Sequence, residues 1–122
     1  MEIEKAENEA LRRRILQALR EADGSSIRAK RLRVVIDLSN DSTTWSDYVD
    51  HLQFLTGAGL IAVYDHARGE ADRSQTLSSY FGVCKRGGPF ATEAEQIMVR
   101  LRQKGREFLE GYHPEVVGVA RD

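Results

Sequence analysis

Three features of this sequence predict a mainly α domain with a small β-hairpin, an α+β fold. Two helical apolar patterns precede a polar break at Ser39-Asn40-Asp41-Ser42. The stretch Thr43 to Ile61, TTWSDYVDHLQFLTGAGLI, reads as a capped amphipathic helix, a glycine stop and the start of a strand. A strand-and-turn region follows it. Helix, helix, break, helix and paired strands are, in that order, the elements of a winged helix-turn-helix. A chain of 122 residues fits one such domain over 1–122, with an acidic N-terminal extension over about 1–8 and a tail over about 111–122.

The first helix is expected from about Asn8 to Ala22. Leu11, Ile15, Leu19 and Ala22 recur at spacings of three and four, with Leu16 and Ala18 widening the stripe. Arg13, Arg14, Gln17 and Arg20 fall on the other side, and Arg12-Arg13-Arg14 reads as a solvated face. Asp23-Gly24-Ser25-Ser26 then ends the helix and offers a serine N-cap for the next one.

The second helix is expected over about Ile27 to Leu38. On a helical wheel Leu32, Val35 and Ile36 cluster with Ala29, while Ile27, Val34 and Leu38 lie nearly opposite. A helix apolar on two sides is normally covered on both, here by the first and third helices or by a second subunit. That pattern and the habit of the fold predict a homodimer.

The third helix starts near Thr43 or Thr44, with Thr44 and Asp47 forming a partial capping box. Trp45, Tyr48, Val49, Leu52, Leu55 and Thr56 share one arc and should face the core. The opposite arc holds Ser46, Asp47, Asp50, His51 and Phe54. An aromatic there needs a cover, either the wing or a partner. Gly57 and Gly59 stop the helix, and Leu60 to Tyr64 follows as a strand.

Two readings remain open beyond Tyr64. In one, Ile97 to Arg102 is the returning strand, with Ile97, Val99 and Leu101 facing in, and a short helix follows from about Lys104 to Glu110. The connection over 65–96 is then 32 residues, long for a compact domain. In the other, Leu77 to Lys85 returns and Thr92 to Glu110 is one long helix. Gly105 would then sit inside it, at about 1 kcal/mol.

Composition narrows the function classes. Hydrophobic residues make up 41% and charged residues 30%, as in a globular protein with charged surfaces. No run approaches the roughly 18 apolar residues of a membrane span, so no membrane association is expected. The acidic start has no signal-peptide core, and Cys84 is the only cysteine, which fits a reducing cytoplasm. The net charge of −1 hides blocks: residues 12–33 carry eight cations against Glu21 and Asp23, a net of +6. Residues 37–72 carry seven acids against Arg68, a net of −6. Such blocks either polarise the surface and steer charged partners or pair within the fold. No Gly-x-Ser-x-Gly, HExxH or nucleotide fingerprint is present, so no enzyme activity and no cofactor are expected.

The segment His51-Leu52-Gln53-Phe54-Leu55-Thr56-Gly57-Ala58-Gly59-Leu60-Ile61 resembles the end of the recognition helix in ArsR- and MarR-type winged-helix regulators. Val99-Arg100-Leu101-Arg102-Gln103-Lys104-Gly105-Arg106 looks like their closing strand running into a short helix. Phe54 and the tail Gly111…Val117-Gly118-Val119-Ala120-Arg121 look most like the small ArsR-like proteins of Mu-like phages and prophages. The resemblance covers about residues 8–64 and 97–121, and it favours the strand at 97–102. It departs from the pattern in the long 65–96 stretch. Cys84, His51, His66 and His113 offer no metal-ligand spacing, so no metal site is expected.

The resemblance implies a transcriptional regulator that binds double-stranded DNA. Thr43, Thr44, Ser46, Asp47, Asp50 and His51 would then face the major groove. Arg28, Lys30, Arg31 and Arg33 on the second helix, with Arg68 and Arg73 in the wing, would hold phosphates. Lys85 and Arg86 offer further positive charge. Asp47 and Asp50 oppose a phosphate row unless nearby cations compensate. The alternative is a protein-interaction module, as in phage assembly or DNA packaging, presenting Asp47, Asp50, His51 and Phe54 to a protein partner.

Overall fold

The computed structural model describes residues 2–22, 25–36, 45–65, 69–70 and 97–121. Within them the chain runs α1 (Glu2–Glu21), β1 (Ile27–Arg28), α2 (Ala29–Val35), α3 (Trp45–Gly57), β2 (Ile61–Asp65), β3 (Gly69–Glu70), β4 (Ile97–Leu101) and α4 (Gln103–Leu109). The four strands form one antiparallel sheet in the order β1-β4-β2-β3. The fold is α+β, helices packed on a small sheet.

α1 begins at Glu2, earlier than the apolar stripe announces. Its first turns are rich in Glu, Lys and Ala, which favour helix without any buried face, and acids suit a helix N-terminus. Leu11, Ile15, Leu16 and Leu19 are buried, as the spacing predicts.

The second helix is shorter than expected. Ile27 and Arg28 belong to β1, opposite Val99 and Met98 of β4, so α2 starts only at Ala29. Its N-cap is Arg28 in an extended conformation, without a side-chain cap bond, rather than a serine. Ladder pairing outweighs the helical pattern here. Ala29, Leu32 and Ile36 are buried, whereas Val34 and Val35 are 61% and 54% exposed. Among the described residues the two-sided helix is therefore covered on one side only.

α3 buries Tyr48, Val49, Leu52, Leu55 and Thr56. It ends in a Schellman turn: Gly59 N–H donates to the Thr56 carbonyl and Leu60 N–H to the Leu55 carbonyl, each at 3.0 Å. Gly59 takes the left-handed conformation this turn needs (φ 78°). The Trp45 side chain and residues 37–44 lie outside the described residues, as does the expected capping box at Thr44.

Between the two readings of the C-terminal half, the strand at Ile97–Leu101 is the one adopted. It pairs with β2 from Ile61↔Leu101 to Asp65↔Ile97, and Ile97, Val99 and Leu101 are buried while Arg100 is exposed. The helix that follows needs a glycine. A Cβ on Gly105 would lie 2.3 Å from the Leu60 carbonyl oxygen, the atom that also accepts the Arg102 N–H at 3.0 Å. Gly105 thus lets α4 press against the α3–β2 corner.

The tail beyond α4 folds back along α1. Val116 and Val119 are buried, and Ala120 N–H donates to the Glu9 carbonyl at 3.1 Å. Arg121 closes the tail's own loop, bonding to the carbonyls of Tyr112, His113 and Val116 with its guanidinium 4.4 Å from the Phe108 ring centroid.

Candidate nucleic-acid interface

Helix α3 is steered by what its inner arc buries. Tyr48 is wholly buried and its hydroxyl donates to the Ala29 carbonyl at 2.7 Å, joining α3 to α2. Burial holds the Tyr48 phenol well above the usual tyrosine range. Thr56 satisfies its hydroxyl on the Leu52 carbonyl one turn back, also at 2.7 Å. With those side chains turned inward, Asp47 and Asp50 stand exposed on the opposite side.

His51 and Phe54 do not share that exposure, contrary to the helical-wheel expectation. His51 is only 8% exposed and Phe54 is half-buried. Arg12 of α1 covers both. Its Nε–H donates to His51 Nδ1 at 3.2 Å, and its guanidinium carbon lies 3.9 Å from the Phe54 ring centroid. A third contact runs from Arg12 Nη1 to the Gly118 carbonyl at 2.8 Å. Gly118 itself lies against the ring, where a Cβ would come within 2.4 Å of Phe54 Cζ. The cover that Phe54 needs is thus supplied by α1 and the tail.

The arginine triplet is accordingly a solvated face only at Arg14, which is exposed. Arg12 and Arg13 are half-buried, and Arg13 donates to the Ala120 carbonyl at 3.3 Å. Arg14 hydrogen-bonds the Ile36 carbonyl, placing positive charge at the end of α2. Burial lowers the Arg12 pKa, offset in part by Glu9. Since arginine only donates, His51 Nδ1 must accept, so the imidazole is neutral with its proton on Nε2. Burial and the charge of Arg12 hold the His51 pKa below the usual histidine value, against Asp47 and Asp50.

A cleft of about 270 Å³ opens between the first turns of α1 and α3, lined by Glu4, Asn8, Arg12, Asp47, Asp50 and His51. Three of those six groups are carboxylates. The other charged surface is basic: Arg28, Lys30 and Arg31 are exposed, Arg33 is half-buried, and α2 carries no acid. Arg28, Lys30, Arg31 and Val34 line a depression of about 360 Å³. The structure brings these cations together and keeps them on a different element from Asp47 and Asp50.

Of the other expected contact residues, Ser46 lies on α3 by its backbone. Its side chain, together with Thr43, Thr44, Arg68, Arg73, Lys85 and Arg86, lies outside the described residues. Cys84 and His66 do too. Among the described residues no group of three His, Cys, Asp or Glu side chains could hold a metal ion, and no helix is long and apolar enough to cross a membrane. Sequence reasoning missed the Arg12–His51–Phe54–Gly118 cluster. Its one visible signal was the unexplained aromatic on the outer arc of α3.

Compared with known protein families, curated proteins and solved structures, the chain matches none of them.

Proposed function

We propose that this chain is a winged helix-turn-helix protein that binds double-stranded DNA through its β1–α2 surface, as a transcriptional regulator does. The element order supports the fold reading: a short strand after the first helix, two more helices, then a strand pair whose returning member joins that short strand. The observation that carries the DNA reading is the basic surface itself. Arg28, Lys30 and Arg31 stand exposed within four consecutive positions, without an acid on the same helix. Cations so grouped hold phosphates and release counterions on binding.

The contact set narrows accordingly. His51 is covered by the chain itself and leaves it, while Asp47 and Asp50 stay exposed at the edge of an acidic cleft. Val34 sits in the same depression as the cations, so a homodimer built on α2 competes with DNA for one surface. Sedimentation of the chain alone and with a duplex reads that competition.

The direct test is fluorescence anisotropy with a random duplex across a salt series. Binding is expected at low ionic strength, with a log–log slope that falls by about 1 for each of Arg28→Gln, Lys30→Gln and Arg31→Gln. No retention of any duplex at low salt overturns the reading.

A second reading is a protein-interaction module. The observation favouring it is the carboxylate-lined cleft of Glu4, Asp47 and Asp50, which suits a basic partner segment better than a phosphate row. Loss of a protein complex on Asp47→Asn with Asp50→Asn, at unchanged DNA affinity, would select this reading.

A further inference from the structure

Arg12 joins α3 to the tail through one guanidinium group, which meets His51 Nδ1, the face of Phe54 and the Gly118 carbonyl. Each contact depends on the others through the position of one guanidinium. The His51 contact requires a lone pair on Nδ1, and a proton added there from solvent would both remove the acceptor and set two cations side by side. We propose that His51 and Arg12 form a proton-operated latch for the C-terminal tail: protonation of His51 displaces Arg12, and the tail leaves Phe54. The inference stands apart from the DNA reading.

The groups facing His51 set the balance. From α1 come Arg12, Glu4 and Asn8, and from α3 itself Asp47 and Asp50. The tail presents the neutral Gly118 carbonyl, reached through Arg12. Burial and Arg12 oppose the proton, and Asp47 and Asp50 draw it in. The cleft gives the proton a route, because His51 lines it. Displacing Arg12 removes the hydrogen bond at Gly118 and the cation over Phe54 together. What then holds the tail's distal half is Val116, Val119, the Arg13 bond to Ala120 and the Ala120 bond to Glu9.

The root of the tail carries a second histidine of opposite sense. His113 Nε2 lies 2.7 Å from Glu107 Oε1 and Nδ1 3.2 Å from Glu115 Oε1, so a proton on His113 strengthens that anchor. A response to acid that loosens the tail therefore comes from His51 and not from His113.

Amide hydrogen exchange of the full chain, corrected for intrinsic rates, tests the latch. Between pH 7.5 and 5, protection of the 112–121 segment should fall relative to 97–109, by at most about tenfold per pH unit, the limit for one linked proton. His51→Gln keeps a neutral acceptor for Arg12 and should abolish the fall. A tail equally protected at both pH values, or an equal loss in His51→Gln, overturns the proposal. A wild-type NMR titration supplies a check that needs no variant: the His51 ring and the Gly118 amide must share one midpoint, and different midpoints also overturn it.

Discussion

Gly105 approaches Leu60 so closely that a methyl group on its Cα would stand 2.3 Å from the Leu60 carbonyl oxygen and 2.7 Å from Leu101 Cδ1. The carbonyl is held by the Schellman turn on one side and by the Arg102 N–H on the other, so it cannot withdraw cheaply. Gly105→Ala should therefore destabilise the fold by about 1–3 kcal/mol in urea denaturation, although alanine is the better helix former. A stabilised variant would mean that α4 docks elsewhere in solution.

Gly118 meets Phe54 in the same manner but against a side chain. With φ at 87°, Gly118→Ala carries backbone strain as well as the clash, together about 1–3 kcal/mol. Phe54→Leu should relieve the steric part, so a double-mutant cycle is expected to give a coupling of about 0.5–2 kcal/mol. Additive effects would show that the tail does not rest on this ring.

Tyr48→Phe deletes one buried hydrogen bond, from the hydroxyl to the Ala29 carbonyl, and leaves the ring in place. The expected loss is about 0.5–1.5 kcal/mol by chemical denaturation. A neutral result would remove this bond as a tie between α2 and α3.

The His113 contacts make stability depend on pH. Hydrogen bonding to Glu107, aided by Glu115, raises the His113 pKa above its ordinary 6.5. The contribution is thus complete below about pH 6.5 and lost as pH rises through the folded value. Thermal melts should show wild type losing Tm relative to His113→Gln between pH 6 and 8.5. Parallel curves would dismiss the bridge as a source of stability.

Asp47 and Asp50 supply a test of sign on the proposed duplex face. At roughly 10 Å from a phosphate, each removed carboxylate relieves about 0.5 kcal/mol of repulsion, so Asp47→Asn and Asp50→Asn should each raise non-specific affinity about twofold at low salt. Unchanged affinity would put both residues away from the bound duplex.

Much of the architecture was legible because it is written in periodicity. The core arc of α3, its glycine stop and the alternation of Ile97, Val99 and Leu101 each follow from burial along one element. β1 was not legible, since two residues are too few to alternate and Ile27 fits a helix pattern equally well. The arginine triplet was misread in part, for a different reason. Arg12 and Arg13 bond to the carbonyls of residues 118 and 120, more than a hundred positions away, and Arg14 to that of Ile36, and no spacing in α1 reports on such distant backbone. The basic face of α2 could be foreseen from composition alone, whereas its separation from the acids of α3 required the fold.

The place of β4 in the sheet has a kinetic consequence. It lies between β1 and β2, yet both precede it in the chain, so neither strand has its inner neighbour until the residues after position 96 arrive. The sheet must therefore close in one late step across the long separation from Asp65 to Ile97. Loop-closure entropy changes by about 0.6 kcal/mol per twofold change in length, so halving that separation should accelerate refolding roughly threefold.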